Sequence, residues 1–392
     1  MASYIKHLCC PRCGSLYEPH HVQTVCTKPD CKSTLYAEYE LPLNTSFGSG
    51  FTGHIHSIWK YSSFLPVQDP VNIISLGEGL TPVIKLNNLS IGYTENEIWL
   101  KDEAANPTGS FKARGISVAV SKAKELGLSA IAVPTAGNAG GALAAYAARG
   151  GLKAHIFMPK ETPKIFKDEC RLYGAQLTEV EGNIAACGAV CQELSRKYDW
   201  FQLSTLKEPY RLEGKKTMGY EIAEQFRGKM PDVILYPTGG GTGLLGIWKA
   251  FEEMQILGWL PDCLPRIVAV QSTSCNGIVT AFHKHLCEAT SYDGGYTIAN
   301  GLRVPRSFAS NLILDVLRIS AGTAVSISDA DILSALKQMA AKEGLLIAPE
   351  GAALWAAFQR LHKDNWIKAG ERVLLLNTGS GYKYMDNLQI DA

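Results

Sequence analysis

From Glu97 onward, short apolar runs alternate with longer segments whose apolar positions fall three and four residues apart. EIWLKD (97–102), AIAVP (130–134), AHIFMP (154–159), QLTEV (176–180), WFQLS (200–204), DVILYP (232–237), RIVAVQ (266–271) and RVLLLN (372–377) are the predicted strands. Segments such as SVAVSKAKELG and GALAAYAARGG carry helical periodicity between them. Thr162 and Pro163 predict a helix start, with a capping hydroxyl and then proline at the first helical position. Strand–helix alternation on this scale predicts an α/β fold with parallel sheets covered by helices on both faces. In such folds ligands bind in the loops at the carboxyl ends of the strands.

Residues 1–40 break the pattern. They are short of apolar runs, interrupted by Pro11, Gly14, Pro19 and Pro29, and hold Cys9, Cys10, Cys13, Cys26 and Cys31 of the chain's eleven cysteines. A stretch of weak signal, residues 41–71, follows as a linker. The 392 residues are enough for two or three domains with large cores. Hydrophobic residues make up 46%, charged residues 19%, and the net charge is +1, which argues against both a disordered chain and a nucleic-acid binder. No apolar run has membrane-spanning length, and MASYIKHLCCPRC lacks the apolar core of a secretory signal, so a cytoplasmic location is expected. A reducing compartment disfavours a disulfide framework. Cys10 with Cys13 and Cys26 with Cys31 instead form two knuckle-like pairs suited to a tetrahedral, structural zinc site. Cys9 leaves the register open, and a ribbon without metal is the alternative. Cys170, Cys187 and Cys191 lie in helical patterns and are expected to be buried.

Four loops carry the candidate chemistry. In DVILYPTGGGTGLLG a strand runs into Gly239, Gly240, Gly241, Thr242 and Gly243, and a helix follows at once. Adjacent glycines let backbone N–H groups converge on an anion, and the helix start adds partial positive charge. A phosphate is the expected guest; a tight turn without ligand is the alternative. The fingerprints GxGxxG and GxxxxGK[ST] are both absent. In AVPTAGNAGG, residues Thr135, Ala136, Gly137, Asn138 and Ala139 leave room for a carboxylate at a helix start. Asn138 either holds a phenolate-like oxygen or caps the helix. In RVLLLNTGSGYKY a strand ends in Asn377, Thr378, Gly379, Ser380 and Gly381, and a hydroxyl there can hydrogen-bond a neutral ring nitrogen; a polar C-terminal loop is the alternative. Finally, PTGSFKARG places Lys112 between a flexible polar turn and a helical run. An amine, a phosphate cup, a carboxylate loop, an oxygen partner and a ring-nitrogen partner together suit pyridoxal phosphate held on a lysine.

NPTGSFKARG, TAGNAGG, PTGGGTG and NTGSGYK, in this order, resemble the tryptophan-synthase-β-like, fold type II pyridoxal phosphate enzymes. Within that superfamily LGEGLTPVIKL (76–86), YRLEGKKT (210–217) and the cysteine-rich head are most similar to threonine synthases. The resemblance implies two three-layer α/β domains: a large one from residues 41–112 and 206–392, and a small mobile one from 113–205. A zinc-ribbon-like module at 1–40 precedes them. It implies that Lys112 carries the cofactor and shuttles protons, that Asn138 meets the 3′-oxygen, that Gly239 to Gly243 hold the phosphate, and that Thr378 faces the pyridine nitrogen. It further implies that Thr135 to Ala139 cradle the substrate carboxylate, that Arg211 meets a substrate phosphate, and that the chain forms a homodimer.

Two departures bear on the substrate. Threonine synthases commonly show SFKDRG, whereas Ala113 stands at the aspartate position here. They also commonly carry an Asn-Ser pair before the arginine, where this chain has Thr205 and Leu206, followed by Lys207 as a substitute charge. The expected reaction is conversion of O-phosphohomoserine and water to threonine and phosphate, with Lys112 removing first an α- and then a β-proton. The alternative is β-replacement or β-elimination on serine, threonine or O-phosphoserine, of cysteate-synthase or dehydratase type.

Overall fold

The computed structural model describes residues 3–227, 229–290 and 295–388. The chain divides into two units, one of Met1–Leu80, Asn106–Tyr220 and Lys249–Trp259, the other of Thr81–Ala105, Glu221–Trp248 and Leu260–Ala392.

The first unit holds two sheets. A small antiparallel sheet sets Ile5–Cys9 between Leu16–Tyr17 and Tyr36–Tyr39. A four-stranded parallel sheet runs in the order Gln176–Val180, Lys153–Pro159, Ala130–Pro134, Phe201–Gln202. Helices Asn138–Gly150, Lys164–Leu172 and Ile184–Tyr198 make the crossovers that parallel pairing demands. Cys187 and Cys191, one turn apart on the last of these, pack on Ala132 and Phe157, so they are core residues, as is Cys170. The helix start expected at Thr162 is displaced. Pro163 precedes the first helical residue, Lys164, and no side chain caps it; the buried Thr162 hydroxyl finds no partner among the described residues.

Residues 41–71 are not a linker. Phe51 meets Tyr61 edge-on at 4.7 Å between ring centroids and Trp259 at 5.5 Å, and Tyr61 and Phe64 are fully buried. Aromatic pairs of this kind add to area burial without any periodicity, which is why the pattern of the sequence conceals them.

In the second unit a six-stranded sheet has the order Thr323–Ile327, Arg266–Ser272, Val233–Pro237, Arg372–Asn377, Glu97–Asp102, Val83–Lys85. All neighbours are parallel except the last pair. The central strands are buried on both faces, which explains their unbroken Val, Ile and Leu runs. Lys101 lies within this apolar sheet because its ammonium meets Glu221 at 2.9 Å and donates to the Thr81 carbonyl at 3.2 Å.

One contact fixes the frame of the first unit. The helices Lys112–Glu125 and Tyr210–Gln225 touch backbone to backbone at two glycines. A Cβ on Gly115 would lie 2.5 Å from the Arg211 carbonyl oxygen, and one on Gly214 would collide with the Arg114 carbonyl and Gly115 Cα. Gly214→Ala should therefore destabilise the protein by about 1–3 kcal/mol, the usual cost of overpacking. A lowered urea midpoint at unchanged slope is the expected readout; an unchanged midpoint would refute the contact.

Candidate active site

Lys112 is the first residue of its helix and is half-buried. The preceding turn, Pro107–Gly109, puts Thr108 at φ 61° and Gly109 at φ 66°. A non-glycine residue in the left-handed region is strained, and such strain gathers at sites where a side chain must be aimed. The Lys112 ammonium lies 4.3 Å from the centroid of the Phe111 ring. Beside it the buried Ser110 hydroxyl has no partner among the described residues.

Glu78, from LGEGLTP, ties the lysine helix to the asparagine helix. Its Oε1 accepts from Trp59 Nε1 at 3.0 Å and Ser117 Oγ at 2.6 Å, and its Oε2 accepts from Tyr146 Oη at 2.7 Å. Ser117 belongs to Lys112–Glu125 and Tyr146 to Asn138–Gly150, so one buried carboxylate bridges the bodies of both helices. Nothing local in LGEGLTP signals that role, because the partners of Glu78 lie on distant helices.

The loop Thr135 to Ala139 closes on itself, with the Gly137 N–H donating to Thr135 Oγ1 at 3.2 Å. Asn138 is the first helical residue and does not cap; the position before it, Gly137, makes no side-chain cap either. Asn138 Oδ1 is buried without a partner among the described residues. An orphaned amide at a helix start is what a polar guest would complete. Ala136 and Gly137 are half-buried. Gly140 and Gly141 serve packing, because a Cβ there would run into Met158 and the Glu169 carboxylate.

Arg211 is 2% exposed at the start of Tyr210–Gln225. Its Nη1 donates to the Leu203 carbonyl at 2.6 Å and its Nε has no acceptor among the described residues. Glu208 Oε2 takes the first amides of this helix, Tyr210 N at 2.8 Å and Arg211 N at 3.1 Å. Burial holds the Glu208 carboxyl above the usual range, opposed by Arg211. Lys207 is exposed. Leu206 is buried at φ 59°, a strained position in this segment. Sequence reasoning missed Lys215, 1% exposed and one turn beyond Arg211. The four-residue spacing in YRLEGK was the available signal.

The second unit supplies the other loops. Gly239 to Gly243 link Val233–Pro237 to the helix Thr242–Ile256, and Gly241 takes φ 77°. The first amides of that helix have no intrahelical acceptor. The glycines are also needed sterically. A Cβ on Gly239 would strike the Gly301 carbonyl, one on Gly241 the Ile313 side chain, and one on Gly243 the Tyr236 hydroxyl. Ser307 Oγ fixes the turn by donating to the Gly240 carbonyl at 3.2 Å. Thr378 follows the strand Arg372–Asn377 and is 7% exposed. Asn377 before it is pinned by its Nδ2, which donates to Asp102 Oδ1 at 2.7 Å.

In the head, the thiols of Cys10, Cys13, Cys26 and Cys31 lie within 4.8 Å of one another. Cys10 and Cys31 sulfurs are 3.5 Å apart, Cys13 and Cys26 3.6 Å. Four sulfurs around a tetrahedral zinc are about 3.8 Å apart, so the cluster fits that ion with no open position. Cys9 stands outside it, which resolves the register. Hydrogen bonds from the Ser15 hydroxyl and amide bring Cys13 down to about 6, a thiolate ready for metal. Tyr17 Oη donates to Cys26 Sγ at 3.2 Å in the same sense.

The architecture is that of the fold type II pyridoxal phosphate enzymes. A tomato threonine deaminase isoform superposes with a TM-score of 0.68 at 21% identity, over 89% of this chain and 96% of its own. A pyridoxal 5′-phosphate-dependent aspartate racemase gives 0.67 at 22%, over 79% and 93%. Residues 74–379 match the family described as pyridoxal-phosphate dependent enzyme, and the chain belongs to it. Among curated relatives, the threonine synthase of Methanocaldococcus jannaschii is 33% identical over 96% of this chain and 93% of its own length. That of Methanosarcina acetivorans is 34% identical over 95% and 91%. The chain is thus a threonine synthase-like, pyridoxal phosphate-dependent enzyme. The first amides of the helix Thr242–Ile256, without intrahelical acceptors, suit the phosphate of that cofactor.

The purified protein is expected to carry about one zinc per chain, measured by elemental analysis. Cys26→Ser should lose the metal and lower the melting temperature. Full zinc content in that variant would refute the four-thiolate site.

Proposed function

We propose that this enzyme converts O-phosphohomoserine and water to threonine and phosphate. The observation that carries the reading is the match to threonine synthases along nearly the whole chain and nearly the whole of theirs. When bound, pyridoxal phosphate supplies a ring that stores the electron pair left by removal of the substrate α-proton.

In this reading Lys112 holds the cofactor and moves protons at the α- and β-carbons. Its half-buried position keeps competing solvent away from the amine. The amides of Gly239, Gly240, Gly241, Thr242 and Gly243 hold the cofactor phosphate, and Asn138 Nδ2 donates to its ring oxygen. The Thr378 hydroxyl hydrogen-bonds the ring nitrogen without protonating it, which favours elimination over transamination. Thr135 to Ala139 receive the substrate carboxylate, while Arg211, with Lys207 from the exposed loop, attracts the substrate phosphate. A cytoplasmic homodimer is part of the same reading.

A second reading has its own observation. Ala113 is fully buried and Leu206 is 1% exposed, so neither position offers the side-chain donor or carboxylate that threonine synthases commonly place there. β-Elimination or β-replacement on serine, threonine or O-phosphoserine would need neither.

Phosphate release from O-phosphohomoserine with matching threonine is expected; pyruvate from serine or 2-oxobutyrate from threonine should be minor. Silence on O-phosphohomoserine would overturn the first reading. Lys112→Ala should lose the visible absorbance of the bound cofactor and its fixation by borohydride, with the circular dichroism unchanged. Retained borohydride labelling would show that another lysine carries the cofactor.

A further inference from the structure

Lys215 and Lys216 are adjacent, and both are buried. Lys216 is compensated: Glu213 lies at 2.8 Å and Glu253 at 3.0 Å. Lys215 has no hydrogen bond or ion pair among the described residues; its ammonium faces the Phe111 ring at 4.7 Å. The same ring faces Lys112 at 4.3 Å. Arg211 stands one helical turn before Lys215, with its Nε unpartnered. The charges acting on Lys215 are those of Lys112, Arg211 and Glu208. Arg114, on the lysine helix, is engaged elsewhere, donating to Thr217 Oγ1 at 3.0 Å.

Arg211 and Lys215 thus share the influence of one carboxylate, whose Oε2 is taken by the Tyr210 and Arg211 amides. Burying an uncompensated ammonium is costly, so the group gives up its proton instead. Burial, then the positive charges of Lys112 and Arg211, hold the Lys215 amine well below the ordinary lysine value, with Glu208 opposing. An anion beside Arg211 and Lys215 would restore the balance.

We propose that Lys215 is a second anion ligand beside Arg211, its buried amine drawing a proton from solvent when a phosphate-like dianion binds. The inference rests on the reading of Arg211 as the residue that meets the substrate phosphate. The proton comes from solvent onto Nζ as the anion arrives and returns to solvent when inorganic phosphate leaves. Below the resting value of the amine the proton is already in place and binding takes up none. Above it, binding takes up one and weakens as pH rises.

The test is calorimetric titration of the holoenzyme with sulfate, a dianion that does not itself titrate, at pH 8 in two buffers of different ionisation enthalpy. The wild type should take up about one proton per sulfate. Lys215→Met and Lys215→Gln should bind sulfate about tenfold or more weakly, with no buffer dependence, while keeping the cofactor absorbance and melting temperature. Lys215→Arg, permanently charged, should bind sulfate without proton uptake. Absence of sulfate binding or proton uptake in the wild type, or unchanged affinity and proton count in the folded Met and Gln variants, would overturn the proposal. Sulfate results as expected, with no turnover of O-phosphohomoserine, would overturn the proposed reaction and leave Lys215 standing. Turnover with an unchanged KM in Lys215→Met would do the reverse.

Discussion

Backbone contact between Gly115 and Gly214 fixes how Lys112, Arg211 and Lys215 are presented. A helix pair normally keeps its axes 8–10 Å apart because side chains intervene. Where both contact positions are glycine, the helices close up and the side chains flanking the crossing converge. Lys112 lies three residues before Gly115, and Arg211 lies three before Gly214. The same compression that brings the amine and the guanidinium into one unit's interior also strips them of water. Chemistry and burial thus share a steric cause.

Burial on that scale demands compensation, and the unit meets the demand unevenly. Around Glu213 the charges close: Lys216 and Lys249 approach its carboxylate, Glu253 faces both lysines, and Tyr39 Oη donates at 2.8 Å. Burial would push the Glu213 carboxyl up, but the two lysines outweigh it and hold it below its usual range. On the neighbouring face of the same helix, Lys215 and Arg211 remain without carboxylate partners of their own. Lys215 and Lys216 are consecutive, yet one joins a charge quartet and the other does not, and the difference between them lies in their partners.

Much of the fold was legible because it is local. EIWLKD, AIAVP, QLTEV and RVLLLN coincide with strands residue for residue; AIAVP and RVLLLN are near-continuous apolar runs because they are covered on both faces. WFQLS shrank to Phe201–Gln202, and TAVSI, short and mixed in polarity, went unrecognised as the edge strand Thr323–Ile327. The loops proposed to hold cofactor were visible because glycine clusters after strands are rare and chemically pointed. What escaped depends on distant partners. Nothing local distinguishes Lys215 from Lys216, since each gets its character from helices far along the chain. The aromatic packing of residues 41–71 escaped for the same reason.

Cysteine content draws a boundary at about residue 40, and electrostatics draws another. The strand Tyr36–Tyr39 gives its Ala37 carbonyl to Lys249 and its Tyr39 hydroxyl to Glu213. A chain shortened to begin after this strand would retain every residue proposed to touch cofactor or substrate. It would also leave two buried groups short of a partner: Lys249, on the helix Thr242–Ile256, would lose an acceptor, and Glu213, on the helix that carries Arg211, a donor. The head is therefore not a detachable accessory: it forms one wall of the interior in which the helix Tyr210–Gln225 is held.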